Sequence, residues 1–303
     1  MKAGRALLLA AVLAVCVVAG AGIFADMDKL GAGFAAYPHD RIGIACALVL
    51  GNYGLRTLRF WYYLDRLRIR VPLREAALVF VAGFLFTVTP GKMGEVVKGW
   101  LVKQRHGASA TAVASAVVAE RFTDVVGLLL VAAAGVVQFG AYRGLFWAVC
   151  GLCLGFLAVV LHPRAVPGLV ARIKRPKWLP LAAKVTQAHG VLRQLCAPRP
   201  LAFGVVLAAG AWFLEAVAFH LLLGGVHSDG GLGQAVVIYT MATLFGAVSM
   251  LPGGVGSTEA VMVALLPVEL AVSESVPALA SGASWVILPS ISSTSSARPA
   301  AAL

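Results

Sequence analysis

Residues 108–137 read ASATAVASAVVAERFTDVVGLLLVAAAGVV. A helix rises ~1.5 Å per residue, so this run is more than long enough to cross a hydrocarbon core of about 30 Å. Its middle nevertheless holds Glu120, Arg121 and Asp124. Charges at membrane depth are costly, and they face a cavity or a partner instead of lipid. Glu120 and Asp124 stand four residues apart and therefore share one helix face. The run predicts a membrane helix that needs polar neighbours.

Working outward, the chain supplies more apolar runs. Residues 144–161, 200–224 and 232–250 follow downstream, and 257–266 makes a half-span. Upstream lie a run from Ala6 to Ala25 and another from Ile42 to about Leu58. The first resembles a signal peptide, but its twenty residues are long enough for an uncleaved span. The second ends on Arg56 and Arg59 with Trp61, Tyr62 and Tyr63 after it, the pattern of basic anchors and an interfacial aromatic belt.

Composition agrees. Of 303 residues, 60% are hydrophobic and 13% charged, about half the ~25% charged share of soluble domains. That excludes a soluble enzyme, a disordered chain and a disulfide scaffold. Cys16, Cys46, Cys150 and Cys153 lie in apolar runs and Cys196 near a basic segment, so they read as buried thiols and not as a redox or metal site. The net charge of +12 reflects basic loops beside apolar runs, which argues for lipid headgroups and against nucleic acid.

The basic residues also orient the chain. Residues 56–105 hold ten Lys and Arg, and 162–199 hold eight with no acid. The opposing loops 26–41, 138–143 and 225–231 hold two, one and none. Both rich segments belong in the cytoplasm. The parity works only if 75–105 enters and leaves on one side, as a re-entrant hairpin. The expectation is an all-α polytopic membrane protein with six full crossings, plus two broken re-entrant segments in two pseudo-repeats. The N-terminus and the 162–199 loop are then cytoplasmic.

The two breaks are similar. One reads Thr89-Pro90-Gly91-Lys92-Met93-Gly94-Glu95, the other Leu251-Pro252-Gly253-Gly254-Val255-Gly256-Ser257-Thr258-Glu259. Paired Pro/Gly interruptions in corresponding halves point to a transport site near the midplane. A broken helix frees backbone N–H groups that attract an anion such as a lipid phosphate. Candidate headgroup contacts are therefore Lys92, Arg121 and the amides of Gly91, Gly94, Gly253, Gly254 and Gly256. Arg121 reads as a phosphate contact or as a partner of Glu95 or Glu259. Glu95, Glu120, Asp124 and Glu259 are candidate gating or structural ion-pair residues, and Pro90 and Pro252 are the breaks themselves. Kinks that ease packing, and an ion cluster that fixes helix contacts, are the plainer alternatives. Glu215, with His220 five residues on, allows proton coupling or a hydrogen-bonded packing role. The Gly253–Gly256 run lacks the strand and the Gly-Lys-Ser/Thr ending of a nucleotide loop. No cofactor, metal or ATP site is implied.

Taken together, Asn52-Tyr53 with Arg59-Phe60-Trp61, the 89–95 motif with Lys98, Ala119-Glu120-Arg121-Phe122-Thr123-Asp124, and the 251–256 motif with Glu259 resemble the flippase-like family. This family is also named for the transmembrane region of lysylphosphatidylglycerol synthetase. The resemblance covers roughly residues 1–266. It implies a bacterial or archaeal inner-membrane protein that moves a phospholipid or polyprenyl-linked lipid between leaflets and works beside lipid-biosynthesis enzymes. Family members that aminoacylate lipid carry a further soluble domain, so this chain is not expected to make lysyl-lipid. A membrane scaffold for a lipid-pathway enzyme, and a membrane-embedded transferase, are the alternatives. From about 267 to 303 the composition turns to Ser, Ala and Pro, where the family continues with membrane helix. That points to a frameshifted or truncated end, with a genuine disordered tail as the other reading.

Overall fold

The computed structural model describes residues 31, 33, 35–85, 93–136, 143–172, 176–225, 231–248 and 256–269. The expected first span, the Pro-Gly dipeptides of both breaks and the tail from 270 onward lie outside the described residues. Among the described residues every regular element is helical. Helix α1 spans His39–Arg66, α2 Leu73–Leu85, α3 Met93–His106, α4 Ala110–Val136 and α5 Arg143–Leu161. Then come α6 Ala165–Val170, a 3-10 turn Pro176–Trp178, α7 Leu179–Leu195, α8 Pro198–Gly224, α9 Leu232–Val248 and α10 Ser257–Glu269.

The apolar runs set most of these boundaries. Helix α4 falls within two residues of its predicted limits, and α5, α8 and α9 start or stop as closely. Prolines mark the starts. Pro38 precedes α1, and Pro180 and Pro198 sit in the first turns of α7 and α8. There the missing N–H is one that no intrahelical carbonyl would have accepted. By length and composition, Pro198–Gly224 is the described helix able to cross a bilayer. Helices α1 and α4 match it in length, at 28 and 27 residues, but carry charges.

Helix α8 packs most extensively on α1, then on α4, and also meets α9. Helix α4 carries α7 and α9 as well, α9 pairs with α10, and α2 pairs with α3. Small residues allow the closest crossings. A Cβ on Gly127 of α4 would lie 2.7 Å from both the Ala208 Cβ and the Ala209 nitrogen of α8. Gly204 of α8 leaves the space that the Tyr63 ring of α1 occupies. Close backbone approach through Gly and Ala is how helices gain packing energy in lipid, where burial of apolar surface adds little. Large apolar side chains meanwhile point outward, among them Leu50, Trp147, Leu152, Leu154 and Val206. A water-soluble fold would not expose so much apolar surface.

Two expectations are corrected here. The second apolar run does not end near Leu58. Helix α1 continues to Arg66, with Arg59 and Tyr63 buried instead of anchored at an interface. Acidic and hydroxyl side chains on α4 receive them there. The 162–199 segment is also more than a solvated loop. Its α7 packs on α4 and buries Ala182, His189 and Leu195, while Lys184 and Arg193 of that helix are exposed.

Candidate functional site

The interior of the bundle is not wholly apolar. On α1 the residues Asn52, Arg56, Arg59, Tyr63 and Arg66 fall at steps of four and three, which places them in one stripe. Its first four members face α4 and α8. Arg59 is 1% exposed. Its Nη2 donates to Asp124 Oδ1 at 2.7 Å and its Nη1 to Thr123 Oγ1 at 3.2 Å. Thr123 also accepts from the Tyr63 hydroxyl at 3.4 Å, and it donates one turn back to the Ala119 carbonyl at 2.9 Å. One threonine thus joins two α1 side chains to the α4 backbone.

The α1 stripe continues into a second carboxylate. Arg56 Nε donates to Asn52 Oδ1 at 2.9 Å, and Asn52 Nδ2 donates to the Ala211 carbonyl of α8 at 2.8 Å. The Arg56 guanidinium lies 4.3 Å from the Trp212 ring centre, a cation–π contact. Its two terminal nitrogens stand 3.8 Å from Asp124 Oδ2 and 3.8 Å from Glu215 Oε1. The other Glu215 oxygen accepts from the Tyr239 hydroxyl of α9.

A third pair lies on α3 and α4. Lys98 Nζ donates to Glu120 Oε2 at 3.1 Å, and Glu120 is fully buried. The ammonium also sits 5.0 Å from the Phe60 ring centre and 5.1 Å from that of Phe80. Gly83 of α2 makes room for the Lys98 stem, because a Cβ there would strike it. Among the described residues, Arg59 Nε and Glu120 Oε1 are buried polar atoms without a hydrogen-bond partner.

Arg121 differs from the other cations. It is 48% exposed and pairs through Nη1 with Asp124 Oδ2 at 3.3 Å. Asp124 therefore links a buried guanidinium on one side with a half-exposed one on the other. The described cluster holds four cations (Arg56, Arg59, Lys98 and Arg121) against the three carboxylates of Glu120, Asp124 and Glu215.

Of the residues proposed from sequence, Glu120, Arg121 and Asp124 lie in this cluster. Glu95 lies in the first turn of α3. Gly94 is buried there, its carbonyl 3.0 Å from where a Gly83 Cβ would stand. Gly256 has φ +87, and its N–H donates to Glu259 Oε2 at 2.7 Å. That reach back from the third helical residue is half of a capping box, so this amide is already occupied by Glu259. Pro90, Gly91, Lys92, Pro252, Gly253 and Gly254 lie outside the described residues.

The sequence reading did not single out Arg56, Arg59, Lys98, Glu215 and Tyr239 as one constellation. The stripe of polar residues at helical spacing on α1 was the signal available for it. Comparison with known proteins agrees with the motif reading. The sequence model described as Lysylphosphatidylglycerol synthase TM region matches residues 9–286, which reaches beyond position 266. A UPF0104 membrane protein of Methanothermobacter thermautotrophicus is 26% identical over 254 residues, covering 77% of this chain and 75% of the relative.

Proposed function

The chain belongs to the lysylphosphatidylglycerol synthase TM region family, a family of membrane proteins, and on that premise we propose that it moves a phosphate-bearing lipid or lipid-linked precursor between the leaflets of the inner membrane. The observation that carries this reading is the cluster of paired charges on α1, α3, α4 and α8, which Tyr239 of α9 joins through Glu215. Ionisable groups are placed inside a membrane protein at high cost, and they mark polar paths. Arg121 is the cation to meet a phosphate, half-exposed and tied through Asp124 to the buried Arg59. The headgroup would take the place of part of the Asp124 pairing while the acyl chains stay in lipid.

In this reading α2 and α3 form a re-entrant pair. At 13 and 14 residues each is about 20 Å long, short of the ~30 Å core. The first break would then be reached from the cytoplasm and the second from the other side. The protein has six full crossings with its N-terminus inside.

The test is leaflet accessibility of short-chain fluorescent phospholipids in proteoliposomes, read by reductant quenching. Wild type should speed exposure of one headgroup class, and Arg121→Ala should abolish that acceleration at unchanged membrane abundance. Equal rates with wild type, Arg121→Ala and empty vesicles would overturn the proposal.

A further inference from the structure

A second feature lies away from the charge cluster. The end of α1, the end of α7 and the start of α8 enclose a groove of about 510 Å³, lined by Arg66, Gln194, Ala197, Pro198, Arg199 and Pro200. Two of the six are arginines and none is acidic. Gln194 Nε2 donates to the Arg66 carbonyl at 2.7 Å, which ties the end of α7 to the end of α1. The Arg66 guanidinium lies 5.5 Å from the Tyr62 ring centre, within cation–π range. The groove opens at the N-terminus of the 27-residue α8, where the helix dipole adds positive potential.

What runs away from the groove identifies its occupant. From Arg199, steps of four, three and seven along α8 reach Phe203, Val206 and Phe213, all on one helix face. These are exposed by 39%, 68% and 45%. Tyr62 packs on Phe203 with ring centres 4.4 Å apart, which joins the wall of the groove to that apolar stripe. A pair of guanidiniums at the head of an exposed apolar track has the shape of a phospholipid in reverse. Free phosphate would need the arginines but not the track. On α1, Arg66 stands seven residues from Arg59, about 10 Å along the same stripe. The groove therefore sits at the outer end of the line of arginines that leads into the cluster.

We propose that this groove is a binding site for an anionic phospholipid, with Arg66 and Arg199 on the phosphate and the acyl chains along Phe203, Val206 and Phe213. The site rests on the membrane reading of the chain but not on translocation.

The test uses the full chain in detergent and a short-chain fluorescent phosphatidylglycerol, with binding read by anisotropy. Arg66→Ala with Arg199→Ala should weaken binding about tenfold or more. Val206→Asp should also weaken it, since it spoils the track and leaves both arginines. Ala197→Trp fills the groove with both arginines in place and should reproduce the loss, which keeps the proposal testable if the double variant fails to fold. Lys177→Ala with Lys184→Ala removes equal charge from the same basic segment outside the groove and should leave binding unchanged. Unchanged binding in the double arginine variant or in Ala197→Trp would overturn the proposal. So would an equal loss on removing the two lysines, which means general electrostatics, or full displacement by millimolar inorganic phosphate, which means a free-phosphate site. Leaflet movement is not read, so failure here and failure of the translocation reading are separate results.

Discussion

Arg59 Nη2 and Asp124 Oδ1 meet at 2.7 Å although 65 residues separate them in the chain. Both are nearly fully buried, and the pair pins α1 against α4 at the centre of the bundle. The attraction at such a site is strong only because water is absent, and the same absence makes either partner alone costly. Removing one side, as in Asp124→Leu, should destabilise the protein by about 3–5 kcal/mol, the usual penalty for stranding a buried charge. Replacing both, with Arg59→Met and Asp124→Leu, should recover much of that. Thermal midpoints in detergent compare the three proteins. A double variant no more stable than the single one would mean that the loss comes from Arg56 and Arg121, which also pair with Asp124, and not from the stranded Arg59.

The crossing of α4 and α8 depends on one missing side chain. A Cβ at Gly127 would press on backbone and Cβ atoms of Ala208 and Ala209, which have no rotamer to yield with. Gly127→Ala should therefore separate the helices and lower stability by about 1–3 kcal/mol, as overpacking does. Gly155→Ala on α5, where nothing lies within 4 Å, is the matched control and should be neutral or slightly stabilising. Equal midpoints for the two variants would show that the α4–α8 approach is looser than it stands here.

These sites were unequally legible in the sequence. The helices read well because an unbroken apolar run of about twenty residues has few other uses. Thus α4, α5, α8 and α9 emerge close to their expected limits. Glu120 and Asp124 also announced themselves, as charges within such a run. Arg56 and Arg59 did not, because a cation near the end of an apolar run goes to the interface unless something deeper holds it. What holds them, Asp124 and Glu215, lies on helices far along the chain, and no local pattern carries that information. The polar spacing of Asn52, Arg56, Arg59 and Tyr63 marked a face but not its partner. Helix α7 was hidden for a similar reason. Lys184 and Arg193 read as part of the acid-free basic segment 162–199, and the few residues that dock the helix on α4 are scattered along it.

Cys196 closes α7 and is almost fully buried, and that burial pushes its thiol from 9.0 up to about 11. In a variant that keeps Cys196 and replaces the other four cysteines, alkylation by iodoacetamide should be slow at pH 8. It should rise only as pH approaches about 11, since the thiolate is the reactive form. The sign for stability follows. The unfolded thiol ionises from about pH 9 while the folded one stays protonated, so this group favours the native state fully below 9. It favours it less as pH climbs through 11. Alkylation at the rate of an exposed thiol near pH 8 would show that the α7–α8 junction opens readily.

Lys98 and Glu120 allow a sharper separation of charge from packing. The ammonium lies beside the rings of Phe60 and Phe80, and its hydrogen bond to Glu120 is a buried polar contact between α3 and α4. Lys98→Met keeps the length of the stem and its ring contacts but removes the charge. Glu120 would then lose the described partner of Oε2, beside an Oε1 that already has none. The single variant should therefore lose stability by several kcal/mol, in the range of broken buried pairs at ~3–5. Glu120→Gln added to Lys98→Met removes the stranded charge, and the double variant should be more stable than Lys98→Met alone. A double-mutant cycle on thermal midpoints measures the coupling, expected within about 0.5–3 kcal/mol for groups in direct contact. Additive losses would mean that Lys98 acts through its stem against the two rings, and that the ion pair contributes little to joining α3 and α4.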